Sequence, residues 1–253
     1  MKILHLSDLH FGTEIPGIVD LLIDDCKHQQ ADFIVVSGDL TQRATDYQYQ
    51  LVKNFLSNFD AKKILSVPGN HDISLHNPVE RFFYPFARYK KWISPDLCSS
   101  YADNQVAILG INSVTPYKSM GGYITDEQLS LVEKYFAAQP QNLARVVVMH
   151  HNLIKSQRHK IINDADNIIR VFSEAKVNIV LSGHIHFACV EKIKKEYVNH
   201  NMYIITAGTP VSWRTTAPNS YNVIDIHEHE FIFSVRQFTG SNFLEVENNN
   251  FPL

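Results

Sequence analysis

Aspartate, histidine and one asparagine recur at five places in this chain, each directly after an apolar run. Ser7-Asp8-Leu9-His10 follows Lys2 to Leu6, and Gly38-Asp39-Leu40 follows Phe33 to Ser37. Pro68-Gly69-Asn70-His71-Asp72 follows Ile64 to Val67. His150-His151 follows Arg145 to Met149, and Gly183-His184-Ile185-His186 follows the run from Asn178 to Leu181. Together they offer imidazole nitrogens, carboxylates and an amide oxygen, with no thiolate. Such a donor set suits Mn, Fe or Zn, whereas Ca²⁺ prefers an all-oxygen shell. Asp8 and His10 lie two apart, which on an extended chain turns both side chains the same way; His184 and His186 repeat that spacing. Gly38 and Gly69 permit sharp turns where ligands must point inward. Two cations held close together repel, and a shared carboxylate reduces the repulsion. Asp39, central in the set, is the expected bridge.

These residues need strands that end at one edge. Lys2–Leu6, Phe33–Ser37, Ile64–Val67, Val106–Leu109, Arg145–Met149 and Asn178–Leu181 read as short buried strands. Between them, Gly17–Gln29, Thr45–Phe59, Thr125 to about Ala138, and Asp164–Glu174 read as helices. Thr45 with Gln48, and Thr125 with Gln128, have capping-box spacing. In a sheet with parallel strands, ligand sites form at the C-terminal strand ends. From about Phe187 the segments 187–193, 202–206, 221–227 and 230–237 read as strands without helices between them. A βαβα beginning and a β-meander end predict two packed sheets with helices outside, built as one domain over 1–253. Residues 74–104 are aromatic-rich and irregular, a candidate cap over the site. The Asn248-Asn249-Asn250 tail is polar and is expected to fray.

The chain has 253 residues, 45% of them apolar and 19% charged, with a net charge of −3. Such a balance provides no global field to recruit nucleic acid, so a nucleic-acid partner is not expected. Three cysteines, Cys26, Cys98 and Cys189, form neither a disulfide framework nor a CxxC pair. The start carries no apolar signal-peptide core, and no run is long enough to span a membrane. A cytoplasmic location is expected. The sequence carries no signal of oligomeric state.

The ordered set D-x-H, G-D, G-N-H-D, H and G-H-x-H resembles the calcineurin-like metallophosphoesterase superfamily. The likeness extends from residue 1 to about 210. Ile3–Gly12, Val67–Ile73, Ala207-Gly208-Thr209 and Pro218-Asn219-Ser220 are most similar to its class III cyclic-nucleotide phosphodiesterase-like branch. The resemblance implies a four-layer αββα sandwich of α/β class. It implies that Asp8, His10, Asp39 and His186 bind one metal, and that Asp39, Asn70, His150 and His184 bind another. His71 would sit beside the two Mn, Fe or Zn ions without ligating them. One departure stands out: family members often have two prolines after the His-His pair, where this chain has Asn152-Leu153.

The expected reaction is hydrolysis of a small phosphodiester, a cyclic nucleotide being the leading class. A metal-bridging hydroxide would attack phosphorus in line. His71 would serve the leaving group as general acid or electrostatic stabiliser, with Asp72 orienting His71 or its loop. Two other hydrolytic readings use the same residues. One is pyrophosphate hydrolysis of a lipid-linked sugar nucleotide, with Phe82–Trp92 as an acyl groove; the other is a DNA nuclease, against which the acidic balance stands. A metal-free scaffold of the same fold is the non-enzymatic reading, and the intact ligand set argues against it. His151 is expected to pack rather than ligate. Arg43 and Arg214 read as surface cations within reach of a pocket, and Phe82, Phe83, Tyr84, Phe86, Tyr89 and Trp92 as helix packing. Substrate choice is expected to reside in loops 74–104, 112–124 and 152–163.

Overall fold

The computed structural model describes residues 1–117, 121–154 and 161–253. Residues 118–120 of the 112–124 loop and 155–160 of the 152–163 loop lie outside the described residues, so the expectations placed on those stretches do too.

Two six-stranded sheets form the centre. In the first, β1 (Lys2–Leu6) runs parallel to β2 (Phe33–Val36), and β2 parallel to β3 (Ile64–Ser66). On its other side β1 pairs antiparallel with β10 (Ser220–Ile226), which continues through β11 (Glu230–Phe238) into β12 (Phe243–Pro252). The second sheet runs β4 (Ser100–Ala102), β5 (Val106–Gly110), β6 (Ala144–Val148), β7 (Ile179–Ser182), β9 (Tyr203–Thr206), β8 (Cys189–Lys192). Its strands β5, β6, β7 and β9 are mutually parallel.

The inner strands are buried at every position, as in Phe33–Val36 and Ala144–Val148. They are almost wholly apolar because both faces of the sheet are covered; the exception, Arg145, donates from Nη1 to Ala175 O at 2.7 Å. One face of each sheet meets the other sheet: Ile3, Val35 and Leu65 pack with Ile108, Val146 and Leu181. The outer face of the first sheet, through Leu4, Ile34 and Val36, takes α1 (Ile18–His28) and α2 (Asp46–Leu56). The outer face of the second, through Leu109, Val147 and Val180, takes α5 (Asp126–Ala137) and α6 (Ala165–Glu174). The order is therefore α, β, β, α, the four-layer sandwich expected. At α5 both halves of the capping box form: Thr125 Oγ1 accepts the Gln128 N–H at 3.3 Å, and Gln128 Oε1 accepts that of Thr125 at 2.9 Å. At α2 only the first half forms, because Gln48 Oε1 accepts the Arg43 N–H instead, at 2.7 Å. Arg236 on β11 donates from Nε (3.0 Å) and Nη2 to Asp25 on α1, and Tyr221 donates to the same carboxylate.

Three segments differ from the sequence expectation. Residues 78–101 contain α3 (Pro78–Phe83), α4 (Ala87–Trp92) and the start of β4. Tyr89 is fully buried, whereas Phe82, Phe83 and Tyr84 are exposed, so only part of the aromatic stretch is core. The late strands do not form one meander: β8 and β9 complete the second sheet, and β10 to β12 complete the first. The asparagine-rich tail is paired, with Asn248, Asn249 and Asn250 opposite Ser234, Phe233 and Ile232. Backbone hydrogen bonding carries that edge strand, whose side chains are mostly exposed. Polarity alone was a poor guide to its order.

Candidate metal centre

The C-terminal ends of β1, β2 and β3 feed the first three polar clusters, and those of β6 and β7 feed the other two. Backbone bonds align the loops: Asp8 N–H to Gly38 O at 2.9 Å, His10 N–H to Asp39 O at 2.9 Å, and Gly183 N–H to His150 O at 3.1 Å. Two bonds join the sheets across the site. The His184 N–H donates to Asp8 Oδ2 at 3.0 Å, and His150 Nδ1 faces Ser37 O at 2.8 Å.

One nitrogen or oxygen from each of Asp8, His10, Asp39 and His186 lies within 4.8 Å of all the others. His186 Nε2 is 3.1 Å from Asp8 Oδ1, and His10 Nε2 is 3.7 Å from Asp39 Oδ2. That same Asp39 oxygen is 3.5 Å from His150 Nε2, which lies 3.1 Å from Asn70 Oδ1. The His184 ring meets that of His150 at 5.2 Å between centroids. Asp39 Oδ2 thus faces both groups of residues.

The convergence is not built as the spacing predicted. Asp8 (φ 51°), His10 (φ 47°), Asp39 (φ 52°), His184 (φ 71°) and His186 (φ 62°) all adopt the left-handed region. Asp8 and His10 therefore do not align by strand alternation; each left-handed residue turns the chain sharply beyond its strand. Non-glycine residues enter this region rarely and at a cost on the order of 1–3 kcal/mol each, and such residues gather at functional sites.

The donor set fits a cation. His150 Nδ1 must donate to the Ser37 carbonyl, which leaves Nε2, the nitrogen facing Asn70 Oδ1 and Asp39 Oδ2, for a proton or a cation. His10 Nε2 and His186 Nε2 meet at 3.2 Å with Asp8 Oδ1 beside them. Lone pairs in a dry pocket repel unless a positive charge lies between them. The electrostatics agree. Burial pushes Asp8 up, but the neighbouring His186 overrides this and holds it low. Burial alone would depress His150, yet Asp39 raises it to about 9. His10, equally buried, falls to about 3.

His71 stands at the rim. Its backbone N–H donates to Asp39 Oδ1 at 2.8 Å, its Nδ1 donates to Gln42 O at 3.0 Å, and its ring meets that of His10 edge-on at 4.9 Å. Asp72 acts on loops rather than on the His71 ring. It accepts N–H groups from Leu40, Thr41 and Gly69 at 3.1, 2.9 and 2.8 Å, binding the Asp39 turn to the Asn70 turn. Burial, with Asp39 nearby, pushes Asp72 up to about 7, opposed by those N–H groups. His151 packs as expected, its ring 4.9 Å from that of His184 and its Nδ1 on Ser113 Oγ at 2.9 Å. Arg43 is exposed, and only its backbone N–H is engaged. Arg214 is exposed, as expected, and it reaches the rim of the pocket: its Nη1 donates to Gln42 Oε1 at 2.9 Å and lies 3.4 Å from His71 Nε2. No local sequence signal links Arg214 to Gln42 or to His71, because the contact spans well over a hundred residues.

The pocket gathers residues that could hold a metal ion, and comparison with known proteins gives the class of the chain. The calcineurin-like phosphoesterase signature matches residues 1–188, so the chain belongs to that family, whose enzymes are hydrolytic and use divalent metals. A probable cyclic nucleotide phosphodiesterase of Coxiella burnetii is 26% identical over 200 residues, covering 74% of this chain and 76% of that protein. A component of the SbcCD nuclease of Staphylococcus saprophyticus is 23% identical over 287 aligned residues, covering 99% of this chain and 72% of its own. The purple acid phosphatase PPD1 of yellow lupin superposes with a TM-score of 0.71 at 12% identity, over 99% of this chain; this chain spans 53% of that protein's length. Among the described residues no helix is long and apolar enough to cross a membrane.

Proposed function

We propose that the protein hydrolyses a small phosphodiester, with a cyclic nucleotide as the leading substrate class, at a pair of Mn, Fe or Zn ions. Asp8, His10 and His186 would hold one ion, Asn70, His150 and His184 the other, and Asp39 both. The observation that carries this reading is the single oxygen Asp39 Oδ2, which faces His10 and His150 at once. When bound, the two cations supply an activated water and offset charge on the phosphoryl group. The chain's own part is to aim and to move a proton. Asp72 fixes the Asp39 and Asn70 turns relative to each other. His71, pinned through Nδ1 to Gln42, points Nε2 away from that bond, where its imidazolium form would pass a proton to the departing oxygen and its neutral form would be left with the proton on Nδ1. The cyclic-nucleotide assignment draws support from the Coxiella relative and from the motif likeness. The SbcCD similarity supports a second reading, a nuclease, and the same assay separates them.

The test is a hydrolysis screen with Mn²⁺ of cyclic nucleotides, glycerophosphodiesters, sugar-nucleotide pyrophosphates and single-stranded DNA, run beside Asp39→Asn. Preferred turnover of a cyclic nucleotide, abolished in the variant, is expected. Preference for DNA would favour the nuclease. Metal-loaded protein inert towards every phosphoester would overturn the hydrolytic reading.

A further inference from the structure

Arg214 follows the Ala207–Pro210 turn and lies on a segment stitched to the loop after β1. Ile15 N–H donates to Val211 O at 2.9 Å, Trp213 N–H donates to Thr13 O at 3.2 Å, and the hydroxyls of Thr13 and Ser212 meet at 2.7 Å. Those bonds deliver the guanidinium to the rim beside His71. Gln42 then holds both residues: its buried side-chain oxygen takes Arg214 Nη1, and its backbone oxygen takes His71 Nδ1.

The Arg214 side chain is exposed to solvent. Among the described residues no carboxylate lies within ion-pair distance of Arg214. Its side-chain neighbours are the Gln42 amide and the His71 ring. Exposed and without a carboxylate partner, the guanidinium at this rim is available to an anion that enters the pocket. With Nη1 engaged, Nε and Nη2 remain as the donors for one, and a guanidinium edge matches two oxygens of a phosphoryl group.

On the hydrolytic reading above, we propose that Arg214 is a substrate-binding residue. It grips the non-bridging oxygens of the substrate phosphoryl group from the His71 side, and Gln42 is the positioning residue that aims it. Charge-assisted hydrogen bonds of this kind set the scale of the effect.

The test uses Arg214→Gln, Arg214→Lys and Gln42→Leu in Mn²⁺-loaded protein. Inorganic phosphate binding is measured by calorimetry, bis-p-nitrophenyl phosphate hydrolysis by kcat and KM, and metal content by mass spectrometry. Arg214→Gln is expected to weaken phosphate binding and raise KM by roughly tenfold to a hundredfold, with metal content unchanged. Arg214→Lys should recover part of the loss. Gln42→Leu should weaken phosphate binding by a smaller factor in the wild-type background and by nothing in Arg214→Gln. Unchanged phosphate affinity and KM in Arg214→Gln, or loss of bound metal in that variant, would overturn the proposal. An active wild type indifferent to Arg214 removes this proposal alone. An inactive wild type whose phosphate binding still depends on Arg214 removes the hydrolytic reading and keeps the anion site.

Discussion

Gly38→Ala makes the sharpest demand on this geometry. Gly38 adopts φ +94°, where a side chain is strained whatever the space around it, and such strain costs on the order of 1–3 kcal/mol. A Cβ there would lie 2.7 Å from His150 Nδ1, 2.8 Å from His150 Cγ and 2.9 Å from Gly69 Cα. The first contact is about 0.7 Å short of the 3.4 Å at which ordinary packing begins. Neither neighbour yields freely: His150 is fixed by the Ser37 carbonyl, and Gly69 backs onto Asp39. Overpacking of this kind adds about 1–3 kcal/mol. A smaller unfolded-state gain, about 0.4–1 kcal/mol, offsets part of it. The net expectation is a loss of about 2–4 kcal/mol in urea unfolding, or a fall in Tm of very roughly 5–15 °C. A shift of His150 by most of an ångström should also lower kcat on the order of a hundredfold. It should weaken the ion held by Asn70, His150 and His184 more than the ion held by Asp8, His10 and His186. A variant within 0.5 kcal/mol of wild type, turning over at the wild-type rate, would refute the packing argument.

Three other outcomes follow from single side chains. Asp25→Ala leaves the Arg236 guanidinium and the Tyr221 hydroxyl without their shared carboxylate; stability should drop about 2–4 kcal/mol in urea unfolding, with kcat at low urea unchanged. His5 is buried with Nε2 on Ser37 Oγ at 2.9 Å, and burial depresses it to about 3. Its neutral form is the one the fold accepts, so its contribution is complete above about 6.5 and is lost as pH falls from there towards 3. The stability gap between wild type and His5→Gln should therefore narrow over that window; a gap constant from pH 8 to pH 4 would contradict it. Thr125→Ala removes the α5 cap and should cost about 1 kcal/mol in Tm-derived stability, whereas no change would mean the box contributes nothing.

Much of the scaffold was legible because apolar runs are long-lived signals. Phe33–Val36 has no polar position to disguise it, Ala144–Val148 has one, Arg145, and Thr125 with Gln128 marks a helix start by side-chain chemistry alone. The polar clusters were legible for the same reason, each standing where a run stops. Three kinds of feature were not. The left-handed turns at Asp8, His10, Asp39, His184 and His186 are rare even for Asp and His, which enter that region more readily than most residues, so local propensity does not place them; tertiary packing holds them. Contacts between distant segments, such as Arg214 with Gln42, depend on how two loops zip together and leave no periodic trace. The β12 tail escapes a reading by polarity because a strand can be held by backbone pairing alone, with its polar side chains in water.

The central claim is that Asp39 joins two cations in one pocket. Crystals of the Mn²⁺-loaded protein, with data collected at the manganese absorption edge, test it directly. The account predicts two anomalous peaks. One should lie among Asp8, His10, Asp39 and His186, and the other among Asp39, Asn70, His150 and His184, with a carboxylate oxygen of Asp39 touching both. A single peak, or two that leave Asp39 bound to one ion or neither, would contradict it.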